Sequence, residues 1–505
     1  MKKTQFVTAC EAVARIPDAA TVALSGSGGG LVEADAVLSA MEGRFLETGH
    51  PRNLTVVHAM GIGDAKRRGL MHFAHEGLLK RVVGGHWSWA PPLQVMARDN
   101  LIEAYTLPAG VIDALFREIG AGRPGVITPI GLGTFADPVN GGGKCNASAT
   151  EDLVERVTLD GKVYLRYKPF KIDVGIVRGS MSDPFGNLTL MHEPADLEAY
   201  AVSVGAHNSG GRVIAQVKAL HPTQFVPARL AHVPGILVDD VVVAPEEWQC
   251  AVTEYDPAIS GEVAPTGQVT SPDLPQGLRR VVALRAAREL REGASVNFGF
   301  GIPSGIPGVL AEQNRSRSYW GSVEQGIHNG ELMDGAMFGA ARYPQVIISS
   351  VDQFDFYSGG GVDLAFVGMG EMDGDGNVNV SRLGDVVVGP GGFVEITQGA
   401  REVVFCGSFE AKGLDAETVD GRLVIRSPGT VPKLVAGVQH ISFSGKRARQ
   451  LGQEVLYITE RAVFRLVAEG IELAEVAAGV DVQRDVIERM RFKPIVRQVQ
   501  RMPLD

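Results

Sequence analysis

"IDVGIVRGSMSDPFGNLTL" (residues 172–190) lies over "VDLAFVGMGEMDGDGNVNV" (362–380) without a gap, at an offset of 190 residues. Asp173 meets Asp363, Asp183 meets Asp373, and Gly186-Asn187 meets Gly376-Asn377. The same offset carries "RVIAQV" (212–217) onto "EVVFCG" (402–407). Upstream, "ACEAVARIPDAATVALSGSGGG" (9–30) resembles "ALRAARELREGASVNFGFGIPS" (283–304), now 274 residues apart. One plan is therefore written twice, and the first copy holds about 84 additional residues between its matching blocks.

Each copy opens with a helical stretch, then a short apolar strand, a Gly-rich turn, a second helix and a second strand. That order is the grammar of an α/β fold with a parallel sheet. The expected architecture is two duplicated open α/β domains fused in one chain. The first covers 1–255 and includes the extra segment, the second covers 278–505, and the proline-bearing stretch 256–277 joins them. Ligands of such sheets sit beyond the carboxyl ends of the strands, which directs attention to the turns found there.

Composition narrows the function. A chain of 505 residues exceeds one ordinary core. With 45% apolar and 21% charged residues it has the make-up of a globular protein. A net charge of −10 without a basic block argues against nucleic acid and anionic membrane surfaces as partners. No apolar run reaches the length of a membrane span. The cysteines, at positions 10, 145, 250 and 406, form no CxxC pair, which points to the reducing cytoplasm. The 63 glycines, many in clusters, mark tight turns and close backbone approaches.

Several motifs fail on inspection. "SGSGGG" (25–30) follows a strand and opens a helix, but the next strand ends at His58 where a dinucleotide site needs an acid. "GGGK" (141–144) has Pro138 at the first P-loop glycine and Cys145 after the lysine. "HFAHE" (72–76) lacks the order of a metal helix, and no metal is expected. "HWSWAPP" (86–92) is aromatic without basic neighbours, so packing or pocket lining is its reading. "VEQGIHNG" (323–330) leaves one carboxylate, Glu324, at the end of a strand before glycines. From the residues alone it is a solvated turn glutamate, a nucleophile or a base.

"SVEQGIHNG", with "QFDFYSGGGVDLAFVGMGEMDGDGNVNVSRLGDVVVGPGGFVEITQGAREVVFCGSF" (353–409), resembles the family I CoA-transferases, in particular the fused acyl-CoA:acetate/3-ketoacid and propionate group. "GDAKRRGLMHFAHEGLLKRVVGGHWSWAPPLQ" (63–94), "GLGTFADPVNGGGKCN" (131–146) and "NFGFGIPSGIP" (297–307) fit the same group. The resemblance implies CoA transfer between an acyl-CoA and a short-chain or 3-keto acid, with Glu324 as nucleophile and a glutamyl-CoA thioester as intermediate. It implies no bound cofactor, coenzyme A esters as substrates, and a cytoplasmic homo-oligomer, commonly a tetramer. "GPGG" (389–392) matches the family's oxyanion loop, with Gly391 and Gly392 as its donors. Gly28, Gly29, Gly299, Gly301, Gly359, Gly360, Gly361 and Gly389 are the glycines expected along the CoA arm.

Two places depart from the family pattern. Ala109 stands where relatives carry a glutamine, and a methyl group cannot donate a hydrogen bond. Ile327, His328, Asn329 and Gly330 replace the family's Pro-Ile-Gly-Gly, making His328 and Asn329 candidate substitutes for the missing donor. These departures keep two alternatives: a CoA-ester or C–C bond hydrolase with Glu324 as general base, and a CoA-ester-binding paralogue with little turnover.

Overall fold

The computed structural model describes residues 4–266, 274 and 277–504. Of the stretch expected to join the domains, residues 267–273 and 275–276 lie outside the described residues. Its described beginning is packed: Ile259 is buried with Leu31, Cys250, Met337 and Ala340.

The apolar runs of the repeat become central strands buried on both faces, because helices cover both sides of a parallel sheet. In the first half the core order is Asp240–Val243, Arg212–Leu220, Val174–Ser182, Thr21–Leu24 and Leu54–His58, all parallel. In the second half it is Glu454–Ile458, Glu402–Cys406, Leu364–Gly368, Ala294–Phe298 and Tyr319–Val323, again parallel. The registers agree residue for residue. Leu24 pairs with Ile176, and Phe298 pairs with Phe366. Arg212 pairs with Val174, and Glu402 with Leu364. Both sequence offsets are thus one register drawn twice.

The turn between the repeat's two runs is also built twice. The Asp183 carboxylate accepts the N–H groups of Phe185 and Asn187 and the Asn187 amide, at 2.9–3.0 Å. The Asp373 carboxylate does the same for Asp375 and Asn377, at 3.0–3.1 Å. Gly186 and Gly376 follow with φ of 83° and 81°, which an L side chain adopts only with strain.

The extra segment of the first half adds two parallel strands, Leu79–Gly84 and Glu103–Thr106, and a separate three-stranded sheet at 126–167. It also adds the helix Ala109–Gly120, whose Val111, Ile112, Leu115 and Phe116 are buried. Burying each such side chain contributes roughly 1.5–3 kcal/mol. The second sheet is not purely parallel. Ala462–Val467 and Gly470–Ala477 extend it as an antiparallel meander, and Ile327–His328 returns antiparallel on the other side.

The halves are knitted together. One hydrophobic cluster contains Ala109, Ile112 and Phe116 from the first and Phe354, Tyr357 and Val394 from the second. The Trp87 N–H donates to the Val388 carbonyl at 2.8 Å, and the Gly391 N–H to the Gly85 carbonyl at 2.8 Å. Among the described residues no helix is long and apolar enough to cross a membrane.

Candidate active site

Strand Tyr319–Val323 ends at Glu324, which projects into a cavity of about 510 Å³ between the halves. The second half lines it with Asn297, Phe298, Gly299, Phe300, Glu324 and Gln325, and with 388–391. The first half contributes Ser27, Gly28, Met60, Gly61, His86 and Trp89. In both halves the lining comes from residues that follow the carboxyl ends of strands.

Gly392 N–H donates to Glu324 Oε2 at 2.7 Å. A Cβ on Gly392 would lie 2.3 Å from that oxygen, so only glycine brings the backbone this close. Gly391 has φ of 55°, and a Cβ there would stand 3.5 Å from Glu324 Oε1. Burial pushes the Glu324 carboxyl up to about 7, against the pull of the Gly392 N–H and of Gln325.

The expected site residues separate into two groups. Gly28, Gly299, Gly389 and Gly391 line the cavity with Glu324. Ala109 is fully buried behind the loop, where its N–H donates to the Gly391 carbonyl at 3.0 Å. Gly29 sits against the Ala336 carbonyl, which a Cβ would approach to 2.1 Å, and its N–H goes to Gly63. A Cβ on Gly301 would meet nothing within 4 Å, and its carbonyl accepts the Ser304 hydroxyl at 2.7 Å.

His328 and Asn329 are not brought to Glu324. The His328 Nδ1 accepts the Trp320 indole N–H at 2.8 Å, and its ring lies near Phe356. Asn329 accepts the Gly321 N–H and donates to Gln345. The chain reverses after Glu324: Ile327 and His328 pair back along Val323 and Ser322, and Asn329 lies against Gly321, away from the strand end that presents Glu324. Gly359, Gly360 and Gly361 cap the C-terminus of helix Ser350–Ser358 and lead into Leu364–Gly368. They stand at the amino end of that strand, opposite the cavity.

A family model described as coenzyme A transferase matches residues 6–244. Caffeate CoA-transferase of Acetobacterium woodii is 41% identical over 502 residues, covering 97% of this chain and 95% of the relative. The chain belongs to the coenzyme A transferase family. Acetate CoA-transferase YdiF of Escherichia coli (strain K12) is 38% identical, covering 98% of this chain and 93% of the relative. The crystal structure of acyl-CoA transferase YdiF from E. coli O157:H7, a thioester complex with CoA, matches with a TM-score of 0.94. It is 37% identical and covers 99% of this chain and 95% of that one.

Within this CoA-transferase fold, some site residues escape a linear reading. Trp89 and His86 line the cavity, whereas Trp87 is buried core. The two tryptophans are two residues apart in an irregular turn, where no period applies, and the aromatic composition alone does not say which ring faces in. His86 is held neutral by burial, which pushes it down to about 4. Behind Glu324, Asp113, Glu198 and Glu395 are buried carboxyls on helices or their caps. Nothing in their local spacing marks them.

Proposed function

We propose that the enzyme transfers CoA from an acyl-CoA to a carboxylic acid through covalent intermediates on Glu324. The Glu324 carboxylate attacks the thioester carbonyl; a C–O bond forms, the C–S bond breaks, and CoA thiolate leaves. The thiolate then attacks Cδ of Glu324 in the mixed anhydride. The Cδ–O bond to the acyl group breaks, releasing the first acid and leaving a glutamyl-CoA thioester. A second carboxylate reverses the steps. Every intermediate is an activated acyl compound, so the transfer potential is kept and ping-pong kinetics follow.

The observation that carries this reading is the 2.7 Å contact of the Gly392 N–H with Glu324 Oε2 inside the inter-half cavity. When thiolate adds to Cδ, negative charge develops on the glutamyl oxygen, and this N–H is already beside it. One such donor is typically worth about 3–4 kcal/mol. The apolar walls formed by Phe298, Phe300, Phe338 and Phe393 support exclusion of water from the anhydride. They also support an acyl group larger than acetyl. The same proposal takes residues 1–255 and 278–505 as the two domains, assembled as a cytoplasmic homo-oligomer, on the repeat and the family likeness.

The test is trapping. Incubation with propionyl-CoA without acceptor, then borohydride or hydroxylamine, should modify Glu324 in a peptide read by mass spectrometry. Glu324→Gln should give no adduct. CoA release without an adduct or an acceptor requirement would instead establish hydrolysis.

A further inference from the structure

Three carboxyls lie behind Glu324 and have no part in the bond changes. Glu395 is 1% exposed, Asp113 is 0% and Glu198 is 1%. Among the described residues none of them, nor Glu324, enters an ion pair. Both oxygens of Asp113, one of Glu198 and Oε2 of Glu395 have no hydrogen-bond partner among protein atoms.

Glu395 is the best connected of the three. Its Oε1 accepts the Val111 N–H at 2.9 Å, in the first turn of helix Ala109–Gly120. Its own backbone is in the first turn of helix Phe393–Gly399, capped by Gly392. The two helix starts are joined again where the Ala109 N–H meets the Gly391 carbonyl at 3.0 Å. A single side chain therefore ties a first-half helix to the second-half loop that contacts Glu324.

We propose that Glu395 is a positioning residue that, as an uncharged carboxylic acid, holds the Ala109 turn and the Gly391–Gly392 loop in register with Glu324. This rests on the reading of Glu324 as nucleophile. The physical reason for the uncharged state is the company it keeps. Glu324 after its strand, Asp113 on the first-half helix and Glu198 at the cap of Ala199–Asn208 are all acids. Tyr167, at the end of strand Lys162–Tyr167, feels the Glu395 charge, and Tyr357, on helix Ser350–Ser358, feels that of Glu324; both are buried phenols. No cation pairs with its carboxyl among the described residues, and none is among the main influences on it. Ionising Glu395 would place a second anion beside the nucleophile and oppose the negative charge that grows there in transfer. Burial pushes Glu395 up to about 8, with Glu324 adding to the rise, in keeping with this arrangement.

The full-length enzyme with propionyl-CoA and acetate tests the proposal through kcat, KM and their pH dependence between about pH 6 and 9.5. Glu395→Ala should lower kcat by roughly 10-fold or more while both KM values stay within about 3-fold, the mark of misplaced chemistry rather than lost binding. Glu395→Gln keeps the acceptor and cannot ionise. It should hold kcat within about 3-fold of native and remove the native enzyme's alkaline decline near pH 8. Native kcat in Glu395→Ala, equal losses in both variants, or an alkaline decline that persists in Glu395→Gln would each overturn the proposal. If Glu395→Ala does not fold, the Glu395→Gln profile decides alone. Trapping at Glu324 in parallel separates the two levels. An adduct that survives Glu324→Gln removes the nucleophile assignment, whereas silent Glu395 variants with a normal Glu324 adduct remove only this inference.

Discussion

The Gly392 N–H and Glu324 Oε2 are 2.7 Å apart across 68 residues of sequence. The contact sets the proposed nucleophile against a donor with no side chain between them, and its cost and its use can be measured separately. Transfer requires ionised Glu324, and burial holds this carboxyl at about 7. Activity, read as kcat/KM, should therefore fall with unit slope on the acid side of about pH 7. A profile flat down to pH 5 would contradict the burial described.

Glu324 should also cost stability. Its folded pKa, about 7, is above the ordinary 4.5. Below pH 4.5 the group is protonated in both folded and unfolded chains and carries no penalty. Between pH 4.5 and 7 the unfolded chain ionises first, so native stability is lost as pH rises, and above 7 the whole penalty is present. Glu324→Gln should stabilise the protein at pH 8 by something of order 2–3 kcal/mol, and by little at pH 4. Thermal melts at the two pH values check the difference.

Gly391 and Gly392 should fail differently when changed to alanine. At Gly392 the backbone φ of −84° is ordinary, but the new Cβ meets the Glu324 carboxylate and the Phe354 ring at 2.3 and 2.6 Å. Gly392→Ala should thus displace the nucleophile and lower kcat by at least about 100-fold, the scale of losing one oxyanion donor. At Gly391 the space is adequate, yet φ of 55° strains an alanine by about 1–2 kcal/mol. Gly391→Ala should show in the melting temperature more than in kcat. Steady-state kinetics and melting curves on both variants make the comparison.

The pattern of these residues shows what a sequence displays and what it hides. The repeat was legible because parallel strands buried on both faces need apolar runs, and the turn between them needs Asp, Gly and Asn at fixed spacing. Both offsets became one register in two sheets. Glu324, Gly391 and Gly392 were legible as motifs, and the fold brings them together. Glu395, Asp113 and Glu198 were not. Their burial comes from three helices packed in space, and along the chain each is one acid in an ordinary helix or at its cap. The triple glycine 359–361 misled because a helix C-cap and a ligand loop demand the same backbone freedom.

The duplicated Asp turn makes its own prediction. Asp183 and Asp373 are buried, and each satisfies three backbone N–H groups and one Asn side chain. Removing the acceptor leaves those donors in the interior without partners. Either Asp183→Ala or Asp373→Ala should destabilise by roughly 2–4 kcal/mol. The aspartates are in different halves, so their effects should add. Urea unfolding of both single variants and the double variant checks this.

Gly110 and Phe354 test how firmly the halves are joined behind the site. A Cβ on Gly110 would lie 2.5 Å from Phe354 Cγ and 2.7 Å from its Cβ. Those are not the free end of a side chain, so relief requires helix Ser350–Ser358 to move away from helix Ala109–Gly120. Alanine would favour the helix by about 1 kcal/mol, but overpacking costs about 1–3 kcal/mol. Gly110→Ala should therefore be net destabilising in the native background. In Phe354→Ala the obstacle is gone, and the same change should become neutral or stabilising. The double-mutant cycle should give a coupling of about 1–3 kcal/mol in chemical denaturation. Additivity within about 0.5 kcal/mol would mean that these helices do not touch as described, and the tie from Glu395 to Val111 would lose its support with them.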